Sequence, residues 1–587
     1  MKFLKINLFV FISFCSAVFA NEPGKNISTI AALDQYGHLL NNQSFLVFPE
    51  IRENPIQWFD SIQERKITEA IYPKNFILNA QPGEFFVYQL GVWALKQDAA
   101  DVKLKFTGLR EKNGNLIPGN RITCFNKDGI DFKGRPFSKM INVAAGRIQA
   151  LWIGIDLKGI KVGNYAGSVS VAVHGEIREI PIQLKIGGEP VPNMGYNDGA
   201  RLSRINWLNS TVGINEDITK GYLPVKVKEN KVSILGCTLD IAASGLPAYI
   251  ASYFDASNQS LVKRGEPIVA HPFRFIIETE NGSNIRLVPG RLNIMEQTAA
   301  KVVWKVINTS DVCDLECTGQ MEFDGFVEYR LKLIAKSPLK VKDIRLEIPV
   351  FKEKAEYMMG LGQEGGLRTP GWKWKWDVKN NQDILWIGAV NGGLRIKWKA
   401  ENYKRPLISI YYKFGPLQMP PSWENNGKGG VSIADKNNVV EIQAFSGKRE
   451  LKKGAVLNYD FELLITPFKL IDKDIKFEDR YYHAGANTAV KIGNAKAAEA
   501  NAIIIHHAED IYPFINYPYL DANRKALTDL VANAHRANMR MKLYYTTREL
   551  TKNLPEFWAL NSLNGEVIFP GPGNATRTEA LHPQGSG

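Results

Sequence analysis

Histidines and carboxylates gather near the end of this sequence. His506-His507 leads into Glu509-Asp510, and Tyr544-Tyr545-Thr546-Thr547 leads into Arg548-Glu549. Five of the eight histidines fall in the last 105 residues. These side chains suit a polyhydroxyl or carboxylate ligand, because arginine and carboxylate groups hold such partners through charge-assisted hydrogen bonds. Two carboxylates flanking a sugar bond can act as general acid and base in glycoside cleavage. The catalytic candidates are therefore Glu509, Asp510 and Glu549, and the substrate-binding candidates His506, His507, Tyr545 and Arg548. Each has a plainer alternative. The histidines can be satisfied core residues, Glu509-Asp510 can cap a turn, and Arg548-Glu549 can be a structural ion pair.

A second constellation is aromatic. Six of the twelve tryptophans lie between positions 372 and 423. Trp372-Lys373-Trp374-Lys375-Trp376 alternates with period two, so on a strand the three indoles share one face and the lysines the other. Exposed, Trp372, Trp374 and Trp376 form a stacking platform for sugar rings; buried, they form a packing face.

The elements that must position these residues follow from periodicity. Ala502-Ile-Ile-Ile is a continuous apolar run, as in a strand covered on both faces. Asp521 can cap a helix whose Leu527, Leu530, Val531 and Ala534 share a face, and Asn538 suits a left-handed stop. Arg540-Met-Lys-Leu-Tyr-Tyr is the next strand. This is a βαβ unit with parallel strands. Its first strand is followed by a loop over 508–520, where (β/α)8 barrels place binding residues. Only two barrel strands are legible, so this is either another α/β fold or an incomplete barrel.

Upstream, residues 21–190 read as a β-sandwich: short alternating strands such as 84–90, 102–106 and 162–173, without convincing helical periodicity. Residues 191–472 read as a large β-sandwich, with strands near 223–228, 273–278, 300–307, 325–334, 343–349 and 459–465. Residues 473–587 form the beginning of the barrel. The predicted class is thus multidomain, β-sandwich domains followed by an incomplete (β/α)8 barrel.

Residues 1–20 read as a signal peptide. Lys2 and Lys5 precede an apolar run from Ile6 to Phe14, and Val18-Phe19-Ala20 offers a cleavage pattern before Asn21. The expected location is secreted or periplasmic, with cell-surface association as a variant of it. No later run approaches 18 consecutive apolar residues, so no membrane span is expected after cleavage. Four cysteines remain: Cys124, Cys237, Cys313 and Cys317. They can pair as two disulfides, with Cys313 and Cys317 close enough in sequence to bridge across a turn, or stay as buried thiols.

Several functions lack support. The formal charge of +13 falls to +11 without the two leader lysines, and it is dispersed rather than clustered, which argues against nucleic acid. There is no H-E-x-x-H, G-x-S-x-G or Walker A lysine motif, and Gly427-Lys-Gly-Gly reads as a turn. No metal site and no cofactor is predicted.

Longer stretches carry a resemblance. MGLGQEGGLRTPGWKWKWD, LWIGAVNGGLRIKWKAENYKRPL, PPSWENNGKGG, HHAEDIYPFINYPYLD and KLYYTTRELTKNLPEFWALNSLNGE resemble a family of large secreted bacterial glycoside hydrolase-like proteins related to glycoside hydrolase family 123. The resemblance covers nearly all of the mature chain. It implies amino-terminal β-sandwich domains, a catalytic (β/α)8 barrel and an oligosaccharide or polysaccharide partner. It also implies a chain that continues beyond residue 587. Family 123 hexosaminidases use an adjacent Asp-Glu pair with the substrate acetamido group as nucleophile. The barrel region here has no Asp-Glu dipeptide, and Glu509-Asp510 runs in reverse order, so those roles are not carried over. The expected function is a glycoside hydrolase-like protein with its site at the barrel mouth. The rival is a non-catalytic carbohydrate-binding or surface-assembly protein.

Overall fold

A computed structural model describes residues 26–568 except 41–42, 58, 73–74, 132, 377–383, 400–419, 485–488, 506–520, 545–549 and 551–553. The predicted signal peptide lies outside the described residues. The chain forms two compact units. One joins Met1–Ile214 to Tyr481–Gly587, and the other is Asn215–Arg480.

The first unit is built on a two-sheet sandwich. Strands Phe45–Ile51, Phe85–Ala94, Ile148–Asp156 and Ile122–Cys124 make a four-stranded antiparallel sheet. Facing it are Phe76–Ala80, Glu176–Ile186, Gly163–Val173 and shorter strands. Inward positions such as Tyr88, Leu90, Val92, Leu151 and Ile153 pack with Tyr165, Val169, Ile180 and Leu184 from the second sheet. All ten residues of Phe85–Ala94 are buried. Such a strand must be covered on both sides. Its outer face meets two helices, Thr29–Leu40 and Glu64–Ile71, through Trp93, Ala32 and Ile67. These helices correct the expectation that residues 21–190 lack helical structure. Ala32 and Tyr36 are four residues apart, as are Lys66 and Ala70, and these short amphipathic stripes were the signal. Lys66 is buried on the second helix because Glu50 at 3.0 Å and Glu69 at 2.6 Å neutralise it.

Among the described residues, the second unit contains three antiparallel sheets of five, six and ten strands. The strands expected from alternation are present: Arg274–Thr279, Lys301–Thr309, Phe326–Ala335, Leu339–Phe351 and Phe461–Thr466. One continuous apolar core links the sheets through Leu239, Phe254, Ile348, Ile442, Tyr329 and Leu463. Tyr329 stacks on Phe461 at 4.7 Å, and Trp304 meets Tyr329 edge-on at 5.8 Å. Such offset and edge contacts add to the stabilisation from burial alone.

All four described cysteines are free and buried. Cys313 and Cys317 do not flank a turn. Both lie on the strand Cys313–Glu322 and face the same side. Four residues of strand span about 13 Å, and a disulfide needs Cα atoms within about 7 Å. That bridge is therefore excluded in this fold, and the alternative of buried thiols holds. Burial pushes the thiols of Cys124 and Cys237 up to about 12, so neither is a ready nucleophile.

Candidate active site

The strands Tyr481–Ala484, Ala502–Ile505 and Arg540–Leu543 form a parallel unit in the region of the histidines. The βαβ reading holds: Ala502–Ile505 pairs in parallel with Arg540–Leu543, and the helix Asp521–Arg536 connects them. Asn538 takes a left-handed φ of 56°, ending that helix. Sequence reasoning missed a third strand, Tyr481–Ala484, and the helix Ala489–Ala497 that follows it. Only four residues long, the strand carries the polar His483 among its apolar neighbours, so no clear run marks it. It pairs in parallel with Ala502–Ile505.

The three strands lie in sequence order and in register. Ala484, Ile505 and Leu543 are level at their carboxyl ends. Ile503 and Ile505 anchor the sheet against Ala495, Leu530 and Ala534 of the flanking helices. His506 follows Ile505 directly in sequence, and Tyr544 follows Leu543. His506, His507, Glu509, Asp510, Tyr545, Arg548 and Glu549 themselves lie outside the described residues. His535 is described: it belongs to the last turn of its helix, where a basic side chain complements the carbonyl-rich end.

The tryptophan ladder has the predicted alternation. Lys373 and Lys375 are exposed, and Trp374 is only 8% exposed. Trp372 and Trp376 are partly buried and pack against the core of the second unit. The Trp372 Nε1–H donates to the Leu361 carbonyl at 2.9 Å, and Trp374 meets Trp376 at 4.9 Å with planes at 63°. Trp386 is also partly buried, while Trp398 and Trp423 are fully buried. The tryptophan-rich stretch thus presents its indoles largely to the protein interior.

One group escaped the sequence reading. Leu554, Phe557, Trp558 and Ala559 are buried in the carboxyl-terminal part of the first unit. There the Asn126 side-chain amide donates to the Ser562 carbonyl at 3.0 Å and to its hydroxyl at 2.9 Å. Gln149 donates to the same carbonyl at 2.9 Å and accepts from Asn564 at 3.0 Å. Arg204 Nε pairs with buried Glu556 at 2.5 Å. Burial raises the Glu556 carboxyl above its usual range, against the opposing pull of Arg204. These residues tie the segment after the parallel unit to the amino-terminal sandwich. Among the described residues, no cluster of three or more His, Cys, Asp or Glu side chains could hold a metal ion, and no helix is long and apolar enough to cross a membrane.

Comparison with known families agrees with a mostly β molecule that carries a parallel α/β unit near its end. Glycoside hydrolase 123, third domain, matches residues 225–467. Glycoside hydrolase 123, TIM-barrel domain, matches residues 472–584. The chain belongs to the glycoside hydrolase 123-related proteins. A solved family 123 glycoside hydrolase from Clostridium perfringens, described for glycolipid glycan hydrolysis, is 18% identical. That match covers 26% of this chain and 28% of that one, with a TM-score of 0.21. A GalM/aldose epimerase homologue from C. elegans is 7% identical over 42% of this chain and 98% of its own, with a TM-score of 0.25. At such scores neither structure bears on function. No curated protein matches the chain.

Proposed function

We propose that this chain is an exported glycoside hydrolase-like protein that acts on a complex glycan at the carboxyl ends of its parallel strands. The observation that carries the reading is the level termination of three adjacent parallel strands at Ala484, Ile505 and Leu543. Strand order without reversal supports reading this unit as the opening part of a (β/α)8 barrel, whose sites form at that end. His506, His507, Tyr545 and Arg548 would bind hydroxyls there, and Glu509, Asp510 or Glu549 would supply the acid and base. Export rests on the Met1–Ala20 pattern, and sequencing of the mature protein should find Asn21 first.

The test is turnover of host and plant oligosaccharides by the complete protein, read by chromatography of released sugars. Glu509→Ala or Glu549→Ala should lower turnover about 100-fold or more. Unchanged turnover in both of these variants and in His506→Ala and His507→Ala would sink the site assignment. Glycan binding without any turnover would favour the non-catalytic reading instead.

A further inference from the structure

The first sandwich carries a cleft of about 390 Å³ between its Phe76–Ala80 edge and the connector at 187–201. Its base is Glu84, a carboxylate with no exposed surface. Two guanidinium groups hold that carboxylate: Arg52 directly, and Arg201 at 3.4 Å. The Gln81 backbone N–H donates to its other oxygen at 3.0 Å. The arginines are fixed in turn. Arg52 Nη1 donates to the Arg201 carbonyl at 3.0 Å, its Nε pairs with Glu53 at 3.1 Å, and its guanidinium lies 4.9 Å from the Phe86 ring centre. Arg201 Nε pairs with Asp198 at 3.1 Å.

This is a rigid wall of planar polar groups, donors and acceptors side by side. Asn79, exposed beside it, adds an amide that does both. The volume suits a small ligand rather than a chain. Charge decides what kind. Two guanidiniums face three carboxylates, Glu53, Glu84 and Asp198, so phosphate, sulfate or uronate would meet a site with surplus negative charge. A simple cation would meet two fixed positive groups. A neutral hydroxyl suffers neither repulsion, and it can donate to the accessible carboxylate of Glu53 or Asp198 while accepting from Arg201, with buried Glu84 and Arg52 fixing the wall behind them.

We propose that this cleft binds a single uncharged pyranose unit, making the first sandwich a carbohydrate-binding domain in its own right. Fixed partners lower the ordering cost of binding, and the absence of an aromatic platform among the lining residues sets the affinity low, with Kd on the order of 1 mM.

The test is saturation-transfer NMR on the complete protein with the methyl glycosides of glucose, galactose, xylose and N-acetylgalactosamine. Glucuronate and inorganic phosphate serve as anionic comparators. At least one neutral glycoside should bind saturably, and the Asn79→Ala/Glu53→Gln double variant should bind it about tenfold more weakly. Both side chains lie on the exposed rim, so the thermal midpoint should not move. Absence of neutral glycoside binding, equal binding by the variant, or preference for either anion would overturn the proposal.

Discussion

Replacing Asp460 by asparagine should raise the unfolding midpoint of the second unit at pH 7 and above, and change it little at pH 4. Asp460 is 7% exposed, and its Oδ1 accepts the Leu331 backbone N–H at 3.2 Å. Lys399, the cation that acts on it most strongly, is already engaged by Glu328 and Glu462, each at 2.6 Å. Burial therefore wins, and the carboxyl is raised from 3.8 to about 7, against weaker downward pulls from Leu331, Lys399 and Arg330. The sign follows from proton linkage. Between pH 4 and 7 the folded unit holds a proton that the unfolded chain has released, so stability falls as pH rises through that window. Below pH 4 the contribution is fully present. A shift of about 3 units sets a ceiling of roughly 4 kcal/mol, and asparagine, neutral at every pH, should recover on the order of 2 kcal/mol while keeping an acceptor for Leu331. Denaturant titrations at pH 4, 7 and 8.5 check this. Parallel pH profiles for the two proteins would show that Asp460 is not the titrating group.

Asn126→Leu should release the Phe557–Asn561 segment from the sandwich. The substitution keeps the heavy-atom count and branching of the side chain but removes two donors to Ser562 and the acceptor for the Trp152 backbone N–H at 2.8 Å. Each buried group left without a partner costs about 1–3 kcal/mol. A loss near 3 kcal/mol would speed amide exchange in residues 557–563 roughly 100-fold. The second unit provides an internal reference, since its exchange should not change. Unaltered protection of 557–563 would mean that apolar contacts from Phe557 and Ala559 alone hold the segment.

The strands of both units were legible because one buried face imposes alternation on six to ten residues. The helix Asp521–Arg536 was legible for the same reason at a different period, and Asn538 marked its end. The helices Thr29–Leu40 and Glu64–Ile71 escaped because they are short and bury few side chains each, among them the lysine at 66. The placement of Trp372, Trp374 and Trp376 was half legible: alternation gave the shared face, but only tertiary packing decides whether it turns inward. The residues about Glu84 and Asn126 gave no signal. Arg52, Glu84 and Arg201 are scattered single charges in sequence, and Asn126 and Ser562 stand 436 positions apart. Their chemistry is created by the fold, not by spacing.

The division of the chain also has a consequence for the order in which the molecule is made. The first unit is interrupted, with Asn215–Arg480 inserted between its two parts. A ribosome adding roughly 5–20 residues per second needs at least about 20 seconds to travel from Asn126 to Ser562. Throughout that interval the nascent sandwich displays Asn126, Gln149 and Arg204 to water without their partners. The inserted unit, continuous in sequence, can complete its own core first. Closing the amino-terminal sandwich with residues 554–566 is thus a late event in the birth of the protein, and it covers both these polar groups and the apolar face around Phe125 and Trp152 that receives Ala559.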